Sequence, residues 1–262
     1  MTNERASVLA ATAAIGIICK TPKAGASKTR LVPLLGAAAA AELARCFLAD
    51  TVGGIDRLPS DARHRGYAVY APEGSEPELR RYVPDHFGFI CRRDATLGVV
   101  LHGATEHLLG AGHDVAVLVN ADSPTLPTDY LRQAIAIARQ PGDRVVLGPA
   151  TDGGYYLIAL KRAHAHLFVD IPWSTVAVLD MTCTRANEIE LATVLLPPWY
   201  DVDDAPSLSL LLDELGGAHL PFATLAAAGP AAATRSFLAD HPDLSQRLAA
   251  HLSADRAASE RK

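Results

Sequence analysis

Lys20, Lys23, Lys28 and Arg30 place four cations within eleven residues, in a loop that also carries Gly25 and Thr29. Backbone amides beside a flexible glycine, with Lys as a point charge and Arg as a bidentate fork, can cradle the phosphates of a nucleotide. A solvated loop that merely aids solubility is the plainer reading of the same residues. The loop is not a Walker A loop, because the Gly-x-x-x-x-Gly-Lys-Ser/Thr pattern is absent.

Asp122, in Asn120-Ala121-Asp122-Ser123-Pro124, is a hard oxygen ligand suited to Mg2+ or Mn2+ bridging diphosphate oxygens. Alone it could equally cap a turn. A second carboxylate cluster, Tyr200-Asp201-Val202-Asp203-Asp204, alters the balance. With Asp122 and Asp203 on neighbouring loops, a divalent ion could be held where it screens a leaving phosphoryl group, while Asp204 or Ser207 caps the following helix.

Asp152, within Gly148-Pro149-Ala150-Thr151-Asp152-Gly153-Gly154-Tyr155-Tyr156, could accept from a sugar hydroxyl or act as a base. The tract is also an ordinary hairpin turn. Pro172-Trp173-Ser174-Thr175 offers a ring face and two hydroxyls, or simply an N-cap at Ser174 or Thr175. Gly153, Gly154, Tyr155, Trp173, Ser174 and Thr175 form the candidate substrate-binding set, with Asp152 and Lys28 as the catalytic candidates. The histidines at 64, 102, 107, 113, 164 and 166 show no metal spacing with acidic neighbours, no Gly-x-Ser-x-Gly elbow occurs, and Ser123 has no motif His, so hydrolase triads are disfavoured.

The elements that must position these groups alternate. Ala14-Ile15-Gly16-Ile17-Ile18-Cys19 is a continuously apolar run that suits a strand covered on both faces. Helical spacing predicts a helix over residues 37–58, closed by Pro59. Strands are expected at 67–70, 87–91, 114–119, 144–147, 155–160 and 192–196. Helices are expected at 97–109, 128–139 with Thr128 as N-cap, 175–190 and 207–215. This order predicts a three-layer α/β/α domain with a mainly parallel sheet, in which ligands bind beyond the carboxyl ends of the strands. A single domain spans residues 1–262 on this reading, with a core at 14–215, a helical appendage at 216–254 and a frayed tail at 255–262.

The net charge of -5, with no Lys/Arg-rich run, offers no footprint for nucleic acid or a membrane surface and favours a small-molecule partner. Arg5 precedes an apolar stretch at 8–19 with the outline of a signal peptide, but Glu4 sits in the would-be basic region and the stretch runs into the cationic loop. No apolar run reaches the roughly 18 residues of a membrane-spanning helix. A cytoplasmic protein is expected, with Cys19, Cys46, Cys91 and Cys183 reduced and buried.

Taken in order, the motifs Lys-x-Pro-x-x-Gly-x-x-Lys-Thr-Arg-Leu at Lys20 to Leu31, Ala-Asp-Ser-Pro at Ala121 to Pro124, Gly-Pro-Ala-x-Asp-Gly-Gly-Tyr-Tyr at Gly148 to Tyr156, Trp-Ser-Thr at Trp173 to Thr175 and Asp-Val-Asp at Asp201 to Asp203 resemble a known family. It is the bacterial GT-A-like glycosyltransferase family associated with arsenosugar biosynthesis, itself distantly similar to the phospholactate and molybdenum-cofactor guanylyltransferases. The resemblance implies a GT-A-like, Rossmann-like nucleotide-diphospho-sugar transferase fold. It also implies Lys28 and Arg30 near phosphates and Asp122 and Asp203 on the metal. Where relatives tend to carry a Glu-Arg pair after Leu-Gly, this chain has Val99-Val100.

The expected function is metal-dependent glycosyl transfer from a nucleotide-diphospho-sugar to a small-molecule acceptor, with Mg2+ or Mn2+ as cofactor. Lys20, Lys23, Gly25, Lys28, Thr29 and Arg30 would hold the nucleotide. Nucleotidyl transfer from an NTP to a phosphorylated or phosphonate substrate is the alternative, and a nucleotide-binding protein without turnover is a third reading. A homodimer is compatible with all three.

Overall fold

A computed structural model describes residues 12–93, 96–222 and 226–259 of the chain. The start of the apolar stretch at residues 8–11, and the last charged residues at 260–262, lie outside them. The chain begins with β1 (Ala13–Lys20), then a one-turn helix α1 (Val32–Leu35), α2 (Ala37–Asp56), β2 (His64–Ala71), the short α3 (Glu76–Leu79) and β3 (Gly88–Cys91). It continues with α4 (Leu97–Gly110), β4 (Ala116–Asn120), α5 (Thr128–Arg139), β5 (Arg144–Pro149) and β6 (Tyr155–Leu160). The remaining elements are α6 (Val178–Glu188), β7 (Ala192–Leu195), α7 (Ala205–Leu215), α8 (Ala232–Ala239) and α9 (Leu244–Ser259).

Among the described residues, seven strands form one sheet in the order β3-β2-β1-β4-β6-β5-β7. All neighbouring pairs are parallel except those made by β6, which runs antiparallel to β4 and β5. Alternate residues of each strand feed opposite faces. On one face Ile15, Ile17, Val117, Val119 and Leu157 pack against Leu43, Phe47 and Leu48 of α2, Tyr130 and Leu131 of α5, and Leu208 of α7. On the other, Ala14, Val69, Leu118, Val145 and Ile158 meet Leu101, Ala104 and Leu108 of α4 and Ala186 of α6. The three-layer architecture with a mainly parallel sheet is therefore as expected.

From β1 the chain steps outward through β2 and β3, whereas β4 joins the other side of β1. Residues leaving the carboxyl ends of β1 and β4 thus diverge across a crevice, the ligand position of open α/β sheets. Ile18 lies beside Asn120 in register, so the loop after Lys20 and the loop after Asn120 face each other.

Several local expectations need correction. Thr128 is not the N-cap of α5: Pro127 holds that position, and the Thr128 hydroxyl donates to the Gly54 carbonyl at 3.4 Å instead. The helix expected at 175–190 begins only at Val178, with Ala177 as its N-cap and no side-chain cap. Ser174 sits at φ 65, and the Thr175 hydroxyl closes a turn onto the Pro172 carbonyl at 2.8 Å. Of the cysteines only Cys19 is buried, its thiol pushed up to about 12 chiefly by burial, whereas Cys91 is exposed at the end of the edge strand. The described part of the charged end, through Ser259, belongs to α9. Among the described residues, no helix is long and apolar enough to cross a membrane.

Candidate functional site

The cationic loop folds onto itself before it reaches the crevice. Lys23 accepts backbone hydrogen bonds from Ala26 and Ser27 at 3.0 Å each, its own N–H donates to the Ser27 hydroxyl at 2.9 Å, and Gly25 takes φ 78. The turn ends with Lys28 in the left-handed region, φ 47 and ψ 47, heading a short 3-10 turn from Thr29 to Leu31. A left-handed conformation is unfavourable for a residue with a Cβ and persists where its surroundings hold it. Here it turns the Lys28 side chain inward, so that only 5% of it is exposed.

The Lys28 ammonium lies between two carboxylates, 2.7 Å from Asp122 Oδ1 and 2.8 Å from Asp203 Oδ1. It also sits 5.3 Å from the centre of the Phe47 ring. Burial works against its charge, but Asp122 and then Asp203 outweigh burial, and the Lys28 pKa is raised above its ordinary value.

Asp122 leaves β4 two residues after its end, its N–H donating to the Asn120 side-chain oxygen at 3.3 Å. Asp203 arrives there because the segment after β7 threads between two loops. Thr151 N–H donates to the Trp199 carbonyl at 2.9 Å, and Val202 N–H donates to the Asp122 carbonyl at 2.9 Å. Trp199 and Val202 are fully buried and anchor that segment. Its extended alternation turns Val202 into the core and leaves Asp201 and Asp203 sharing the opposite side. Asp204 caps α7 in a reciprocal box with Ser207, 3.0 Å from Ser207 N. The cap reading of the acidic cluster falls to Asp204, while Asp203 meets Lys28.

Asp201 is the residue that the sequence reading left without a role. Its carboxyl is pushed up to about 7, first by burial and then by Asp152, Asp203 and Asp122. Asp152, Asp203 and Asp122 thus form an acidic cluster with Asp201, and each of their charges disfavours its ionisation.

A cleft of about 420 Å³ opens beside the pair and is lined by Lys20, Lys28, Thr29, Arg30, Asp122 and Asp203, among others. Arg92, which follows β3, also lines it and was not foreseen. Its Nε is buried with no hydrogen-bond partner among the described residues. An adjoining hollow of about 320 Å³ shares Arg30 and Asp203 with the first and adds Thr151, Asp152 and Asp201. The structure therefore brings together Lys20, Lys28, Thr29, Arg30, Asp122 and Asp203, with Asp152 next door. Lys23 and Gly25 shape the loop and do not line the cleft.

Asp152 is exposed, and its Oδ1 accepts from Gly154 N–H at 2.9 Å. Gly153 takes φ +92, and a Cβ there would lie 2.3 Å from the Val176 carbonyl oxygen, so a side chain is excluded. Gly153 also binds the start of α6, its carbonyl accepting from Leu179 N–H at 2.9 Å. Tyr155 and Trp173 meet edge to face at 6.4 Å, with the Tyr155 hydroxyl buried. Ser174 and Thr175 are exposed beyond them. Of the Val99-Val100 pair, Val100 is a core residue at 6% exposure, while Val99 faces solvent at 62%. Half of that departure thus serves the packing of α4.

The donor set fits a divalent ion shared with phosphate. Two hard oxygens converge on one cation position, the arrangement Mg2+ uses when substrate oxygens and water complete its shell. Among the described residues no group of three or more His, Cys, Asp or Glu is arranged to hold a metal by itself.

A model of the family DUF2064, described as uncharacterized protein conserved in bacteria, matches residues 55–175, less than half of the chain. That stretch carries Asp122, Asp152 and Trp173; Lys28 and Asp203 lie outside it. No curated protein matches the chain. Among solved structures, a protein of Desulfovibrio desulfuricans G20, provisionally named a nucleotide-diphospho-sugar transferase, superposes with a TM-score of 0.78 at 24% identity, covering 91% of this chain and 98% of its own. A CMP:2-keto-3-deoxy-manno-octonic acid synthetase complexed with CTP superposes with a TM-score of 0.52 at 11% identity, covering 79% of this chain and 99% of its own. The fold is that of the GT-A-like nucleotide-diphospho-sugar transferases.

Proposed function

We propose that the protein is a metal-dependent transferase that moves a sugar from a nucleotide-diphospho-sugar to a small-molecule acceptor, as in the arsenosugar-associated family its motifs resemble. The observation that carries the reading is the convergence of Asp122 and Asp203 on the Lys28 ammonium, at 2.7 and 2.8 Å, beside a cleft walled by Lys20, Arg30 and Arg92. Asp122 and Asp203 would hold Mg2+ or Mn2+, which would supply neutralisation of the charge on the departing nucleoside diphosphate, and the basic wall holds the diphosphate. Lys28 and Arg30 stabilise the same charge from the protein side. Asp152 takes the acceptor's hydroxyl proton at Oδ2, Oδ1 being engaged by Gly154. Gly153, Gly154, Trp173, Ser174 and Thr175 frame the acceptor side.

Nucleotidyl transfer has one observation in its favour. Arg92 adds a fourth basic residue to the cleft lining, more than a diphosphate demands and well suited to a triphosphate whose pyrophosphate departs. Incubating the protein and Mg2+ or Mn2+ with a panel of nucleotide sugars and NTPs, with products read by mass spectrometry, separates the two. Release of nucleoside diphosphate with a sugar adduct is the expected result. Pyrophosphate with an NMP adduct would transfer the assignment to the second reaction.

A further inference from the structure

The two carboxylate oxygens assigned to the metal are both already taken by a cation of the chain itself. Lys28 Nζ touches Asp122 Oδ1 at 2.7 Å and Asp203 Oδ1 at 2.8 Å. Mg2+ bound to the same two oxygens sits about 2.0–2.1 Å from each. The two positions overlap, and two cations so close repel strongly in a partly dry site. Metal and ammonium are therefore alternatives at this pair.

We propose that Lys28 is a resident counter-cation of Asp122 and Asp203, and that a divalent metal enters only by displacing it. The inference rests on the assignment of those two aspartates as metal ligands. The geometry suits such an exchange. The Lys28 side chain is only 5% exposed, whereas those of Asp122 and Asp203 are 39% and 49% exposed, so an ion approaches the carboxylates from solvent while Lys28 reaches them from the protein side. Its four-carbon stem can swing without moving the backbone. Once displaced, the ammonium remains on the wall of the cleft with Lys20, Arg30 and Arg92, where an anionic ligand becomes its new partner. Metal binding is in this way coupled to the arrival of phosphate, and the empty enzyme retains the metal weakly. Arg30 lines the same cleft and makes no ion pair among the described residues, which makes it the natural control for bulk charge.

The test is Mn2+ binding to the chelator-stripped full chain, with no nucleotide, followed by the electron paramagnetic resonance signal of free Mn2+ at one fixed pH. Lys28→Met and Lys28→Gln should each bind Mn2+ at least about tenfold more tightly than the wild type. Lys28→Arg should keep the weak affinity, and Arg30→Met should change it by less than about threefold. Circular dichroism confirms that each variant is folded. No gain in either uncharged Lys28 variant, or an equal gain in Arg30→Met, overturns the exchange and leaves the ligand assignment standing. A gain that survives the further change Asp122→Asn or Asp203→Asn overturns the ligand assignment instead.

Discussion

Asp50 is a carboxylate at 6% exposure inside α2, and it caps a different helix. Its Oδ1 accepts from Ala233 N–H at 2.9 Å, and its Oδ2 accepts from Thr234 N–H at 2.9 Å and from the Thr234 hydroxyl at 2.6 Å. Ala233 and Thr234 form the first turn of α8, whose own N-cap, Ala231, has no side-chain acceptor to offer. Replacing Asp50 by Ala removes all three bonds. Thr234 is fully buried, so its N–H and hydroxyl are left without partners, at about 1–3 kcal/mol each. Loss of negative charge at the α8 N-terminus adds ~0.3–1 kcal/mol. Asp50→Ala should therefore lower stability by about 3–5 kcal/mol, while Asp50→Asn, which keeps one acceptor, should lose about half as much. Equilibrium urea unfolding followed by circular dichroism measures both. Asp50 lies outside the cleft, so nucleotide binding by the folded fraction should persist. A loss below about 1 kcal/mol in Asp50→Ala would refute the reasoning that this carboxylate is what starts α8.

Arg92→Met should weaken nucleotide binding about tenfold, measured by calorimetry with the nucleotide found active, because the guanidinium is a charged partner in the cleft. Asp201 binds its proton more tightly folded, at about 7, than a free carboxyl does. Ionising it therefore removes stability as pH rises from about 4 to about 7. In the presence of chelator, Asp201→Asn should be more stable than the wild type by ~1–3 kcal/mol at pH 8 and about equal to it near pH 4. Gly153→Ala should destabilise by about 1–3 kcal/mol and depress turnover, since its φ of +92 and the Val176 carbonyl at 2.3 Å both oppose a Cβ. Thermal melting and initial rates check the two effects.

The strands could be read from the sequence because they are short, continuously apolar and bounded by polar loops, as at β1 and β4. The direction of β6 was not evident from its pattern, since periodicity is blind to strand orientation. The link from Pro149 to Tyr155 did hold the answer, being far shorter than the dozen or so residues of a parallel crossover. Helix α8 lies inside the appendage read as helical at 216–254, but its start could not be read because its cap comes from Asp50, remote in the chain. Thr128 looked like a cap by residue type, yet Pro127 already fixes the entry to α5. At the site, Lys28, Asp122 and Asp203 were each singled out. Their mutual contact was not foreseen, because it depends on the left-handed turn at Lys28 and on the threading of Val202 beside Asp122. Arg92 was overlooked because β3 is weakly patterned, although the strand-end rule that found Asp122 applies to it equally.

The central claim is that transfer chemistry runs on a metal held by Asp122 and Asp203. Its most direct test is the Mn2+- or Mg2+-dependent turnover of Asp122→Asn and Asp203→Asn beside the wild type, with product counted by mass spectrometry. The account predicts a fall of at least about a hundredfold in each variant, with folding unchanged by circular dichroism. Wild-type turnover in either variant would contradict it.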